Sequence, residues 1–268
     1  MAKLVADGYA GSTVRQVHRV FSLMLDLAVR DGRLPRNPAT GVRLPRAAKG
    51  EPVFLTHTQV EQLARGCPGY ELFVRVLAYT GMRWGEATAV RVRRVDLVKR
   101  RIEVVHTAVE LNGEMTYGTP KTHQRRSVPV PRSLVDALAQ HIAEKGLDDL
   151  VFTTPRGEVM RNHNFRSRVF VPAAQQIGLP GLTPHDLRHT AASLAVQAGA
   201  NVKAVQRMLG HASAAMTLDV YAGLFNDDLD AVADRLDAAA ALARADYLRT
   251  QAERDTVLPF DLGGKHAS

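Results

Sequence analysis

Leu182-Thr183-Pro184-His185-Asp186-Leu187-Arg188-His189-Thr190 is the stretch on which the reading of this chain turns. Thr183 suits a helix N-cap and Pro184 the first helical position, so a helix is predicted over residues 184–197. Leu187, Ala191, Leu194, Ala195 and Ala198 make its apolar stripe. At about 100° per residue, His185 and Arg188 lie about 60° apart beside that stripe and can share one ligand. An imidazole and a guanidinium at the electropositive end of a helix suit a phosphate oxygen. His185 and His189 also show the four-residue spacing of a helical zinc-protease pair. That reading fares badly: Asp186 stands where the chemistry wants Glu, Arg188 sets a fixed positive charge beside the cation, and no third ligand is identifiable. In a third reading the window only caps and solvates a helix, and the rest of the chain decides among the three.

Working outward, Thr80-Gly81-Met82-Arg83-Trp84-Gly85-Glu86 puts an arginine two residues after a glycine helix stop, with a carboxylate three residues on to orient its guanidinium. Lys121, in Thr119-Pro120-Lys121-Thr122, lies in a polar connection after a strand pattern. Leu209-Gly210-His211-Ala212-Ser213 and Thr217-Leu218-Asp219-Val220-Tyr221 place a histidine after a turn and a tyrosine on the following helix. Each of these groups has a plain alternative as a surface or core residue.

The surrounding pattern is mainly helical, with a small antiparallel sheet, an α+β class. Residues 12–30 carry Val17, Val20, Phe21, Met24, Leu27 and Ala28 at three- and four-residue steps, one face of an amphipathic helix that Asp31-Gly32 ends. Thr58 is a candidate cap for a helix over residues 60–64, and residues 72–79 form a second, stopped by Gly81. A short helix follows Arg83. Alternation over residues 95–109, Gly113, and stops at Pro129 and Pro131 predict the sheet. Further helices are expected over residues 133–144, 164–177, 202–209 and 214–222. Residues 37–52, rich in Pro and lacking periodicity, read as an interdomain linker. Residues 227–250 are helical in pattern but begin with Asp227, Asp228, Asp230, Asp234 and Asp237, a surface that phosphate repels. This segment is expected to dock on its own or a neighbouring subunit, or else to be an ordinary packed terminal helix.

Composition bounds the function. The chain has 268 residues, 46% hydrophobic and 23% charged, and one cysteine, Cys67, which excludes a disulfide framework and a cysteine-cluster metal site. No apolar run approaches the roughly 18 residues of a membrane span, and the N-terminus lacks a signal-peptide pattern, so a cytoplasmic protein without membrane contact is expected. The 35 Lys+Arg against 27 Asp+Glu leave +8, which favours a polyanionic partner such as nucleic acid. Arginine supplies most of those cations, and its planar fork grips two phosphate oxygens at once, although a GC-rich genome gives the same bias. Arg15 and Arg19, one helical turn apart, and Arg91, Arg93, Arg94, Lys99, Arg100 and Arg101 are candidates for gripping DNA backbone, with solvation of a helix face or hairpin as the alternative.

Arg83, Lys121, His185-x-x-Arg188, Leu-Gly-His211 and Tyr221, in that order, resemble the signature of the tyrosine recombinase, or phage integrase, family. The resemblance runs from about residue 53 to 224, and residues 13–45 resemble the last part of that family's helical core-binding domain. It implies a partial core-binding domain over residues 1–45, a linker over 46–52, a catalytic domain over 53–225, a C-terminal intersubunit helix over 226–251 and a tail over 252–268. It implies Tyr221 as nucleophile forming a 3′-phosphotyrosyl bond, and Arg83 and Arg188 clamping the non-bridging oxygens. The same resemblance implies that Lys121 protonates the leaving 5′ oxygen, His185 helps take the tyrosine proton, His211 bonds a phosphate oxygen and Glu86 supports from behind. Neither metal, ATP nor any other cofactor is implied. The implied partners are double-stranded DNA, three further copies in a tetramer on DNA formed from monomers, and an accessory directionality factor.

Two departures stand out. The early core-binding helices have no counterpart, which reads as a truncation, a misplaced start or a decaying prophage gene. His211 and Tyr221 are ten residues apart, one more than the family's usual spacing, so the turn between them must absorb a residue. The alternatives are a catalytically impaired DNA-binding remnant or regulator, a topoisomerase-like nicking and rejoining enzyme and, last, a zinc hydrolase.

Overall fold

The computed structural model describes residues 2–45, 52–118, 125–224 and 229–255. These fall into two compact units, Met1–Val53 and Phe54–Ser268. The first holds α1 (Ala2–Ala6) and α2 (Gly11–Arg30). The Asn37 amide donates to the Ser22 carbonyl at 3.0 Å and to Asp26 Oδ1 at 2.6 Å, pinning the following turn to α2. Val14 is the one buried residue of α2, whereas Val17, Val20, Phe21, Met24 and Leu27 are all at least 41% exposed. The apolar stripe expected from periodicity is present, but within this unit it covers no core.

In the second unit α3 (His57–Arg65) starts at Thr56, not at Thr58 as the sequence suggested. Thr56 Oγ1 accepts from the Gln59 amide at 3.2 Å while Gln59 Oε1 accepts from the Thr56 amide at 2.9 Å, a reciprocal cap, whereas Glu61, which would answer Thr58 in the same way, is taken by Arg75. The apolar helix α4 (Glu71–Thr80) ends where Gly81 takes φ +65°, and α5 (Trp84–Thr88) follows. Phe73 on α4 meets Trp84, Phe152 and Phe165 edge-on at 5.1, 5.1 and 5.7 Å, the aromatic centre of the core.

Strands β1 (Val95–Asp96), β2 (Arg101–Val104), β3 (Thr107–Leu111), β4 (Glu114–Gly118) and β5 (Arg126–Pro129) form the expected small antiparallel sheet, three-stranded in the order β1-β2-β5, and a separate β3–β4 hairpin. The hairpin turns on Asn112 and Gly113, both at positive φ, as two-residue hairpins prefer. In the main sheet Ile102 opposes Val128 and Val104 opposes Arg126. Alternation puts Arg126 on the same inward face as buried Val128, a position where an arginine needs a carboxylate.

Helices α6 (Val135–Ile142), α7 (Asn162–Phe165), a π-helical turn (Arg166–Phe170) and α8 (Val171–Gln176) continue the wall. Then come α9 (Asp186–Gln197), α10 (Val202–Leu209), α11 (Ala214–Tyr221) and α12 (Leu229–Asp255). Local sequence predicts Thr183 as N-cap of α9 and Pro184 as its first residue. Instead Thr183 donates both its amide and its hydroxyl to Asp186 Oδ2 at 2.7 Å, and His185 holds the cap position. The Asp186 carboxylate outcompetes the backbone for that hydroxyl. Leu187, Arg188, Thr190, Ala191, Ala192, Ser193 and Leu194 are buried, so α9 is embedded on nearly all sides and packs against α4. Along α12, residues 233–250 are exposed, including Leu236, Leu242, Tyr247 and Leu248.

Candidate functional site

The site grows from two helix ends. Gly81 closes α4 and Gly210 closes α10, each in the left-handed region at φ +65° and +67°, where a side chain is strained. Both leave helix-terminal carbonyls pointing at one place. Arg188, 4% exposed, donates from one terminal nitrogen to the Gly81 carbonyl and from the other to the Leu209 carbonyl, each at 2.6 Å. A cation between two helix C-termini sits where both dipoles favour it. Burial, and then Arg83 beside it, lower its guanidinium to about 9, which leaves it charged at neutral pH.

Glu86 ties the second guanidinium to a third. Its Oε2 accepts from the Arg83 amide at 2.8 Å and its Oε1 from Arg83 Nη1 at 2.9 Å. The same carboxylate takes Arg126 in a two-pronged pair at 2.8 and 2.6 Å, while Arg126 Nε donates to the Met208 carbonyl at 3.1 Å. Burial alone pushes the Glu86 carboxyl up, but the hydrogen bonds and charge of Arg126, and then those of Arg83, hold it down to about 2. Three guanidiniums against one carboxylate leave a net positive centre. Arg126 is absent from the sequence-derived set. Its signal was an arginine on the buried face of a strand, legible only once register is known.

Tyr221 ends α11 and is 2% exposed. Its hydroxyl lies 2.8 Å from Nδ1 of His189, and its ring faces that of His211 at 6.4 Å and 6°. His211 Nδ1 lies 2.9 Å from the hydroxyl of buried Thr217, and burial, together with Arg188, Arg83 and Arg126, lowers its imidazole to about 4. Ser213 caps α11, and across the ten-residue interval from His211 the two rings still stack. The sequence reading gave the tyrosine proton to His185, but the imidazole touching Tyr221 is that of His189. His185 is exposed and meets His189 edge to face at 5.2 Å.

A cavity of about 280 Å³ is lined by Arg83, Arg188, His185, Trp84, Asn162 and Arg166, with Met82, Thr183 and Pro184 completing it. Arg166, on the π-helical turn, is another cation that sequence reading passed over. This space can seat a tetrahedral anion between guanidiniums. Lys121 lies outside the described residues.

Of the candidate backbone-gripping residues, Arg93 is paired with Asp148 and Arg94 with Glu103, and Arg91 donates to the Asp148 carbonyl. Arg15 donates to the Pro45 carbonyl, and Arg19, Arg100 and Arg101 are exposed. Among the described residues no three His, Cys, Asp or Glu side chains gather where they could hold a metal ion, and no helix is long and apolar enough to cross a membrane.

Residues 53–227 match the family model described as the phage integrase family. The chain is 29% identical over 215 residues to an integrase of Mycobacterium phage D29, covering 76% of this chain and 56% of that protein. It is 26% identical over 253 residues to a XerC-like tyrosine recombinase of Caldanaerobacter subterraneus subsp. tengcongensis, covering 82% and 64%. The chain thus spans between about half and two thirds of the length of these relatives. Among solved structures, the Tn1549 transposon integrase in complex with a circular intermediate DNA superposes with a TM-score of 0.72 at 22% identity, covering 88% of this chain and 82% of that one, a likeness of fold.

Proposed function

The chain belongs to the phage integrase family, and from that premise we propose that it is a site-specific DNA recombinase that cuts and rejoins DNA through a 3′-phosphotyrosyl intermediate, integrating or excising a phage or other mobile element. The observation that carries the reading is the double position of Arg188. It lines the anion-sized cavity with Arg83 and His185, and its charge also bears on Tyr221.

The scissile phosphate occupies that cavity. Arg83 and Arg188 stabilise the charge that builds on the non-bridging oxygens, which is where preorganised donors contribute most. A guanidinium has five N–H groups; Arg188 spends only part of its set on the Gly81 and Leu209 carbonyls and keeps the rest for phosphate. Attack by Tyr221 forms its Oη–P bond, releasing the phenolic proton to a neighbouring base, and breaks the bond to the 5′ oxygen, which takes a proton from Lys121. A 5′-hydroxyl from a partner strand then reverses the step. His185, facing the cavity, and His211, beside Tyr221, bond phosphate oxygens. Four copies act together on two duplexes, with α12 docking on a neighbouring copy and an accessory factor setting direction.

The test is a covalent trap. Nicked duplexes from a random-sequence library are incubated with the protein in EDTA, and adducts are isolated on denaturing gels. An adduct formed by the wild type and lost in Tyr221→Phe, with DNA binding retained, supports the reading. An adduct that persists in Tyr221→Phe removes Tyr221 as nucleophile, and binding without any adduct moves the chain to the alternative of a DNA-binding regulator of the same family.

A further inference from the structure

The imidazole in contact with the Tyr221 hydroxyl has no role in the chemistry above. We propose that His189 is the general base that takes the Tyr221 proton during attack, and the general acid that returns it when the strand is rejoined. This rests on the reading of Tyr221 as nucleophile.

At 2.8 Å, Nδ1 of His189 is within direct proton-transfer reach of Tyr221 Oη. Burial pushes the phenol up, so Tyr221 carries a proton to give. Burial, and then His185, lower His189, so its ring is neutral at pH 7 and has a lone pair to receive one. With Tyr221 donating to Nδ1, the ring's own proton resides on Nε2. The groups facing His189 are His185, Asp186 and Arg188 from its own helix, and His211 and Tyr221 from the chain after α10. Asp186 alone among them favours the imidazolium, and its Oδ2 is engaged by Thr183.

The other two imidazoles are occupied elsewhere. His211 has Nδ1 on Thr217, and His185 faces the phosphate cavity. The step balances: the phenolic proton goes to His189 Nδ1, the Tyr221 Oη–P bond forms, the P–O5′ bond breaks, and the departing oxygen is protonated by the separate acid. In the reverse step the His189 imidazolium hands its proton to the leaving phenolate.

The experiment compares wild type with His189→Asn, whose amide sits near the place of Nδ1 and can hydrogen-bond but cannot take a proton. Duplexes trapped by the wild type are prepared with an ordinary phosphodiester and with a 5′-bridging phosphorothiolate, whose sulfur leaves without an acid. We expect adduct formation to fall about 10²-fold or more on both substrates at pH 7. Between pH 7 and 9 the variant's rate should climb about tenfold per pH unit, following the phenolate fraction, while the wild-type rate stays nearly level. A rate within threefold of wild type overturns the proposal. So does a defect that vanishes on the phosphorothiolate, which would put His189 on the leaving group. A measurement independent of folding in the variant compares the ¹⁵N resonance of His189 Nδ1 in wild type and Tyr221→Phe: it should move, and an unmoved resonance also overturns the proposal. If the wild type traps no duplex, the functional reading fails first and this inference with it.

Discussion

Replacing Arg126 by Met, which keeps the length of the stem and deletes the charge, tests whether the Glu86 carboxylate is the keystone of the site. Glu86 and Arg126 have side chains only 2% and 9% exposed, so solvent screens their pair little. Holding the Glu86 carboxyl at about 2 in place of its ordinary 4.5 is worth about 3 kcal/mol at neutral pH, at about 1.4 kcal/mol for each tenfold change in proton affinity. Because the folded-state value is the lower one, this stabilisation is complete above about pH 4.5 and is lost as pH falls toward about 2. Arg126 is the largest favourable influence on that carboxyl, and its removal strands a buried charge beside Arg83 alone. We expect Arg126→Met to lose about 3 kcal/mol in urea unfolding at pH 7, the lower end of what breaking a buried pair costs. The variant's Glu86, with burial less opposed, takes up its proton at higher pH than in the wild type. The stability gap should therefore narrow between pH 7 and 4.5. A gap below about 1 kcal/mol at pH 7, or one that stays constant over that range, refutes the reasoning.

Two further outcomes are expected. Gly210→Ala puts a Cβ at φ +67° and 2.8 Å from Arg126 Cδ, so it should cost about 1–3 kcal/mol by thermal or urea unfolding and lower adduct yield by displacing Arg126. Truncation after Phe225 should leave binding of one copy to DNA and abolish higher assembly on native gels; unchanged assembly would remove α12 from the interface.

Much of the fold was legible because its stops are chemically distinctive. Gly81 and Gly210 ended α4 and α10 where expected, and the run from residue 202 to 209 matched α10 residue for residue. Errors fell where two polar side chains compete for one backbone group, as at Thr56 against Thr58 and at Thr183, captured by Asp186. In the site, Arg83, Glu86, Arg188, His211 and Tyr221 stand out through the family signature they resemble in that order, not through local spacing alone, and the fold brings them together. Arg126 was not, because its partner stands 40 residues away and only strand register turns it inward. His189 was seen only as half of a metal pair, since helical spacing says which face a histidine takes and nothing of the tyrosine that reaches it from another helix. The α2 stripe shows the opposite limit, for a period can be right and still not say whether anything covers it.

The anchoring of Arg188 on the Gly81 and Leu209 carbonyls has a practical corollary for anyone testing the proposed strand cleavage apart from the proposed DNA recognition. A residue that ties two helix termini together cannot be silenced without loosening the scaffold, so an inactive Arg188 variant confounds lost chemistry with lost architecture. A clean loss-of-function reagent has to remove a group from which no helix end hangs. Tyr221→Phe deletes one oxygen and keeps the ring against His211, which makes it the variant with which to footprint target sites or crystallise a stalled complex.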